Sequence, residues 1–243
     1  MSSTVEGSWR GPNIVNTGLL VYLDAASPNS YYLPRAGSTW KDISGSSKNG
    51  SLVNTPTFST TVGGMFTFNG TNQYVNIGNT PDLQITVGTV SAWIRATSGN
   101  SSFRGIITKQ NAWGLFLNSN VLIAFDWGNY YASGFDINQG IRNTGINLGT
   151  NTWTNVAMTF SQTVGVATPG PPNNNVIIYV NGSPVLTTTT LHRDHTASIQ
   201  FAWANFTGQY MVGSIAQGMI YNRVLSASEV LQNFNSTKSR FGL

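Results

Sequence analysis

The acids of this 243-residue chain are few: Glu6, Asp24, Asp42, Asp82, Asp126, Asp136, Asp194 and Glu229. Glycoside hydrolysis asks for two carboxyl groups facing each other across the bond to be cut. No two of these acids stand two residues apart on a predicted strand. Glu229 belongs to a predicted helix cap and Glu6 to an irregular amino-terminal arm. That leaves Asp126 and Asp136 as the one pair whose convergence in space would support a hydrolase or lyase. Both histidines fall in His192-Arg193-Asp194-His195, which is short of the three or four ligands zinc needs. That segment is expected to be a solvated loop. No catalytic residue, metal or cofactor is expected.

A different chemistry is suggested by Trp127-Gly128-Asn129-Tyr130-Tyr131, three aromatics in a Gly/Asn-rich stretch predicted as a loop. Sugar rings pack their C–H faces on aromatic rings while amides and backbone groups bond the hydroxyls. This is the usual pocket mixture of apolar wall and few polar groups. Trp127, Asn129, Tyr130 and Tyr131 are therefore the candidate glycan-binding residues, with Trp113, Trp203 and Tyr210 as further ones. Trp and Tyr are equally enriched at protein interfaces. Trp93, Trp153 and Trp203 alternate within strand patterns, where core or sheet-face packing accounts for them.

The elements that must position these residues are mostly strands. Trp153 to Phe160 has period-two patterning, with Thr154, Val156, Met158 and Phe160 on one face. Asn175 to Val180 is dense in β-branched residues, and Asn181-Gly182 is the pair best able to make a tight hairpin turn. Further strands are predicted at Leu19 to Asp24, Met65 to Phe68, Gln73 to Ile77 and Val87 to Ala96. A meander follows at Gly105 to Lys109, Trp113 to Leu117 and Val121 to Trp127, and later strands lie between Ser198 and Tyr221. One helix is predicted near the carboxyl terminus. Ser226 caps it, Glu229 completes a capping box, and Val230, Leu231 and Phe234 are expected to share its apolar face. Many short strands with turn signals between them predict an all-β, antiparallel two-sheet jelly-roll sandwich with one short C-terminal helix.

Length fits one domain, read as an arm over residues 1–17 and a domain over 18–243. Charged residues are 8% of the chain, against about a quarter in typical proteins. The net charge of +4 comes from scattered basic residues, without the basic stripe of a nucleic-acid binder. No cysteine is present, which excludes disulfides. No apolar run of signal-peptide or membrane-spanning length occurs, so a chain made in a cytoplasm, without membrane insertion, is expected. The arm is expected to pack on its own domain or on a neighbouring subunit.

Four blocks carry a resemblance. They are Gly18-Leu19-Leu20-Val21-Tyr22-Leu23-Asp24-Ala25 with Trp40-Lys41-Asp42-Ile43-Ser44-Gly45, then Phe66-Thr67-Phe68-Asn69-Gly70 with Tyr74-Val75, then the Trp153-led strand with Tyr179-Val180-Asn181-Gly182, then Tyr221-Asn222-Arg223-Val224-Leu225-Ser226 with Glu229. In this order they resemble the laminin G-like, concanavalin A-like jelly-roll family. The wording around the first strand, Pro12-Asn13-Ile14-Val15, and the ending Asn233-Phe234-Asn235 to Phe241-Gly242 resemble laminin G-like domains of tailed-bacteriophage virion proteins. The resemblance implies a non-enzymatic virion structural protein, a capsid decoration or fibre component, made in the bacterial cytoplasm and displayed on the outer surface of the particle. It would contact other virion proteins or its own copies through the arm and adhere weakly to cell-surface glycans. The alternative it implies is a free carbohydrate-binding lectin module. Many relatives hold calcium at a sandwich edge, which would make Asp24 and Asp42 ligands. The acid-poor sequence favours instead a turn braced by Asp42 through backbone bonds.

Overall fold

A computed structural model of the chain describes residues 14–31, 37–161, 163–164, 175–193 and 196–243. The first strands are β1 (Leu19–Asp24), β2 (Thr39–Trp40), β3 (Gly50–Val53), β4 (Thr57–Ser59), β5 (Met65–Asn69) and β6 (Tyr74–Gly78). Next come β7 (Val87–Ala96), β8 (Arg104–Lys109), β9 (Trp113–Asn118), β10 (Val121–Phe125), helix α1 (Trp127–Ala132), helix α2 (Ile137–Gly140) and β11 (Ile141–Asn147). The chain continues through β12 (Trp153–Ser161), β13 (Thr163–Val164), β14 (Val176–Val180), β15 (Ser183–Thr188) and β16 (Leu191–His192). It closes with β17 (Ile199–Phe201), β18 (Val212–Tyr221) and helix α3 (Ala227–Thr237).

Among the described residues, two eight-stranded sheets form the sandwich. The first runs β15-β14-β12-β7-β18-β5-β4, with β1 also paired to β18; the second runs β11-β10-β9-β8-β17-β6-β3-β2. Pairings within both sheets are antiparallel, as the jelly-roll expectation requires. The period-two reading of β7 and β12 sorts their faces. Val90, Ala92, Ile94, Val156, Met158 and Phe160 enter the main core between the sheets. The opposite face of the first sheet is covered by the C-terminal segment, where Trp93 stacks on Phe241 at 4.0 Å and donates from Nε1 to Thr237 Oγ1 at 2.8 Å. The β14–β15 hairpin turns on Asn181 and Gly182, with φ of 50° and 76°, the left-handed pair of a type I′ turn.

The family-like blocks fasten the chain through turn and cap chemistry. Asp42 accepts from the Tyr22 and Ser44 amides on Oδ1, and from Ser44 Oγ and the Lys48 amide on Oδ2. Asp24 accepts from the Ala26 amide and Arg240 on Oδ1, and from Gln217 Nε2 on Oδ2. With every carboxylate oxygen already facing donors, this pair does not fit a calcium ion, which wants six or more free oxygen ligands. Ser226 and Glu229 form the expected capping box, and Arg223 grips Glu229 through two bonds of 2.9 and 2.6 Å.

Two expectations about helices need adjustment. The helix buries Val230, Asn233, Phe234 and Thr237, a face spaced three and four residues apart, while Leu231 lies to its side at 43% exposure. The stretch predicted as a loop at 127–131 is helical, and a second short helix follows it. Ile14 and Val15 of the expected arm are buried against their own domain, one of the two placements expected: Val15 N donates to Asn233 Oδ1 at 2.9 Å, and Tyr221 Oη donates to Val15 O at 2.9 Å. Residues 1–13 of the arm, with Glu6, lie outside the described residues. No helix among the described residues is long and apolar enough to cross a membrane.

Candidate functional site

The site is built where β10 ends. Asp126 Oδ1 accepts from the amides of Asn129 at 2.9 Å and Leu191 at 3.1 Å, and Arg142 Nη2 donates to Oδ2 at 2.6 Å. The first of these bonds caps α1, which is why so short a segment with Gly128 and Asn129 turns into helix. Arg142 also donates from Nε to Thr189 O and from Nη1 to Gln139 O, both at 2.9 Å. One ion pair thus ties α1, α2, β11 and the strand at Leu191 together. Asp126 is 1% exposed. Burial pushes its carboxyl above the ordinary range, opposed by the two amides and by Arg142.

Asp136 Oδ1 accepts from the Asn138 amide at 2.9 Å and so starts α2. The two acids named for hydrolysis are therefore both engaged as caps of successive short helices. Of the histidine loop, Asp194 and His195 lie outside the described residues. His192 is buried in β16, not solvated as expected. Among the described residues no three His, Asp or Glu side chains gather.

The capped helix sets three of the four candidate residues around a pocket. Trp127, Tyr130 and Tyr131 line it, with Ile137 of α2 beside them. Its remaining walls are Phe116 of β9, Phe125 of β10, Phe103, Phe206, Gln110 and Gln209. The volume is about 160 Å3. Asn129 is half-buried and is not among the lining residues; its amide serves the Asp126 cap. Trp127 is 4% exposed, with Phe125 at 5.1 Å and Phe116 at 5.8 Å between ring centroids. Tyr130 and Tyr131 stand edge to face at 5.0 Å, and the Arg193 guanidinium lies over Tyr131 at 4.1 Å.

The pocket lies on the outward face of the second sheet. Leu115 and Leu117 point into the main core, while Phe116, Ile123, Phe125 and Trp127 form a separate cluster behind it. Sequence reading missed Phe116 and Phe125 because nearly all of β9 and every residue of β10 is apolar or glycine, so no alternation marks a face. The further aromatic candidates have other work. Trp113 is buried and stacks on Phe160 at 5.1 Å. Trp203 stacks on Tyr210 at 5.1 Å with the rings 3° from parallel, and Tyr74 is 4.5 Å from it. Its Nε1 donates to Phe206 O at 2.8 Å, which holds the 60%-exposed Phe206 at the pocket rim.

No curated protein matches the chain in sequence. Solved structures do match in fold. The binding domain of Paraclostridial Mosquitocidal Protein 1 superposes with a TM-score of 0.63 at 16% identity, covering 90% of this chain and 52% of that one. Domain 4 of AbnA, a GH43 extracellular arabinanase from Geobacillus stearothermophilus solved in complex with arabinotriose, gives 0.60 at 16% identity over 90% of this chain and 98% of that one. Trypanosoma rangeli sialidase in complex with sialic acid gives 0.64 at 13% identity over 92% of this chain and 33% of that one. The chain therefore spans about half of the mosquitocidal fragment, a third of the sialidase and nearly all of the arabinanase domain. Such identities establish the fold alone, and binding domains and whole enzymes both appear among its bearers. Residues 69–231, more than half of the chain, match the laminin G-like family model, and the protein belongs to the concanavalin A-like lectin/glucanases superfamily.

Proposed function

We propose that this domain recognises saccharide without transforming it, holding one sugar ring against Trp127, Tyr130 and Tyr131. The observation that carries this reading is the convergence of those three rings with Phe116 and Phe125 around a cavity of about 160 Å3. An apolar cavity of about 150 Å3 accepts one benzene-sized group, so the space takes one face or one substituent of a sugar ring, with the rest of the ring at the mouth. The aromatic walls meet the C–H faces, and the amides of Gln110 and Gln209 meet polar substituents. A hydrolytic reading is disfavoured because Asp126 and Asp136 are both engaged as helix caps. The arabinotriose held by one domain of this fold, and the sialic acid held by a sialidase of which this fold covers a third, add analogy only.

Binding of the full chain to a glycan array tests the reading, with Tyr131→Ala and Phe206→Ala as variants at accessible positions. The parent should bind at least one saccharide, and Tyr131→Ala should lower that signal about tenfold, the range of one lost ring contact. A parent that binds nothing on the array, or a Tyr131→Ala that binds as well as the parent, would sink it.

The setting we propose is the outer surface of a tailed-phage particle, as a capsid decoration or fibre component. It rests on the sequence wording at Pro12 to Val15 and at the carboxyl end. Many copies on one particle would multiply a weak single-site affinity. The residues ahead of Ile14 are the proposed attachment to neighbouring subunits, and assembly unchanged by their deletion would count against it. Electron microscopy of particles labelled on this chain decides the setting; a chain absent from every particle is the free lectin module.

A further inference from the structure

The chemistry of the lining narrows the ligand. We infer that the ring taken by this pocket is a neutral N-acetylhexosamine, with its acetamido group in the cavity and Gln110 and Gln209 as its hydrogen-bond partners. The inference rests on the saccharide reading above and goes further by naming the sugar class.

Charge is the first argument. Among the described residues the lining contains no carboxylate and no basic side chain. Asp126 lies behind Trp127, almost wholly buried and already bonded to Arg142, Asn129 and Leu191. The cation nearby, Arg193, sits over Tyr131 and is not part of the lining. A uronate brought into these walls would lose water without meeting a counter-charge. The second argument is the number of polar partners. Eight of the ten described lining residues are aromatic or aliphatic and two carry primary amides. Neither glutamine amide has a hydrogen bond to any other described residue. At the same ring position a hexose would bring a single hydroxyl, which cannot reach both amides at once and offers the apolar walls no methyl. An acetamido group brings one N–H, one C=O and a methyl. Each Gln amide offers two donors and an acceptor oxygen, and the methyl meets the rings. A 6-deoxy sugar would fill the apolar space equally but leave both amides without a carbonyl or amide partner.

Saturation-transfer NMR with the intact chain and simple methyl glycosides tests this. The probes are N-acetylglucosamine, N-acetylgalactosamine, glucose, galactose, fucose and glucuronic acid. An N-acetylated probe should bind about tenfold or more tighter than its parent hexose, the discrimination expected when a site built for a hydrogen-bonding group meets an analogue lacking it. Its strongest transfer should be at the acetyl methyl. Gln110→Ala and Gln209→Ala are at half-exposed positions, and each should erode that preference several-fold without lowering Tm. Hexose, fucose or glucuronate binding as tightly as the N-acetylated probe would overturn the inference and leave the saccharide pocket standing. A preference unmoved in the double variant would overturn it as well. A chain that binds none of the six, nor any glycan of the array, overturns both.

Discussion

Gly140 offers a test in which two simple rules predict opposite signs. It closes α2 with a backbone that alanine can adopt, since its φ is not in the left-handed region. Conformational entropy alone therefore predicts that Gly140→Ala stabilises by about 0.4–1 kcal/mol. The packing says otherwise. A methyl group on Gly140 would stand 2.4, 2.7 and 2.9 Å from three carbons of the Phe125 ring, distances real carbon pairs do not adopt. The ring cannot swing freely, because Trp127, Tyr130 and Phe103 lie 5.1, 5.5 and 5.6 Å from its centroid. The open direction is the pocket, whose wall Phe125 forms. Overpacking of this kind costs about 1–3 kcal/mol, which outweighs the entropic gain and leaves a net loss of about 1–2 kcal/mol. For a domain of this size that lowers Tm by roughly 2–8 °C. Urea denaturation should show a lower midpoint with an unchanged slope, and saccharide affinity should fall together with the midpoint. Adding Phe125→Leu should recover much of the stability, a coupling that a double-mutant cycle isolates. A Gly140→Ala variant at or above parental stability, with parental binding, would refute the claim that Phe125 is wedged between Gly140 and the pocket.

Asp126→Ala should destabilise by about 3–5 kcal/mol, the cost of breaking a buried pair and losing a cap, whereas Asp126→Asn should cost about 1 kcal/mol less, because Asn keeps the cap but not the charge facing Arg142. Equal urea midpoints for the two variants would contradict the capping role. The Glu229 carboxyl is held down at about 2, from an ordinary 4.5, by Arg223 first and by the Ser226 amide. A depressed carboxyl contributes stability that is complete above pH 4.5 and is lost as pH falls toward about 2. Solvent screening of a partly exposed pair limits the loss to about 1 kcal/mol. Glu229→Gln keeps the capping-box geometry, so its stability should change less than that of the parent across this pH window; parallel curves for the two would be the contrary result.

The family-like blocks were legible because their work is local. Asp42 bonds the Ser44 and Lys48 amides, two and six residues on. Asn69 Oδ1 accepts from the Thr71 and Asn72 amides at 2.9 and 3.2 Å, and Ser226 with Glu229 starts α3. Such turns and caps depend on residue types a few positions apart, which is the range over which a sequence pattern speaks. The same holds for β7 and β12, where alternation sorted Val90, Ala92 and Ile94 from Trp93.

The pocket obeys a different rule. The cap on α1 is completed by the Leu191 amide, 65 positions from Asp126, and no local signal in a six-residue segment with Gly128 and Asn129 announces that bond. Its walls come from strands that are apolar on both faces, because the second sheet carries the main core on one side and a second aromatic cluster on the other. Alternation vanishes exactly where both faces are covered, so Phe116 between Leu115 and Leu117 was invisible as a wall. Rings of the central strands can be explained by the sandwich; rings in a Gly/Asn-rich connection cannot. That contrast is what singled out Trp127, Tyr130 and Tyr131, which the structure brings together around one pocket, whereas Gln110 and Gln209, on which the proposed ligand preference rests, are marked by no pattern.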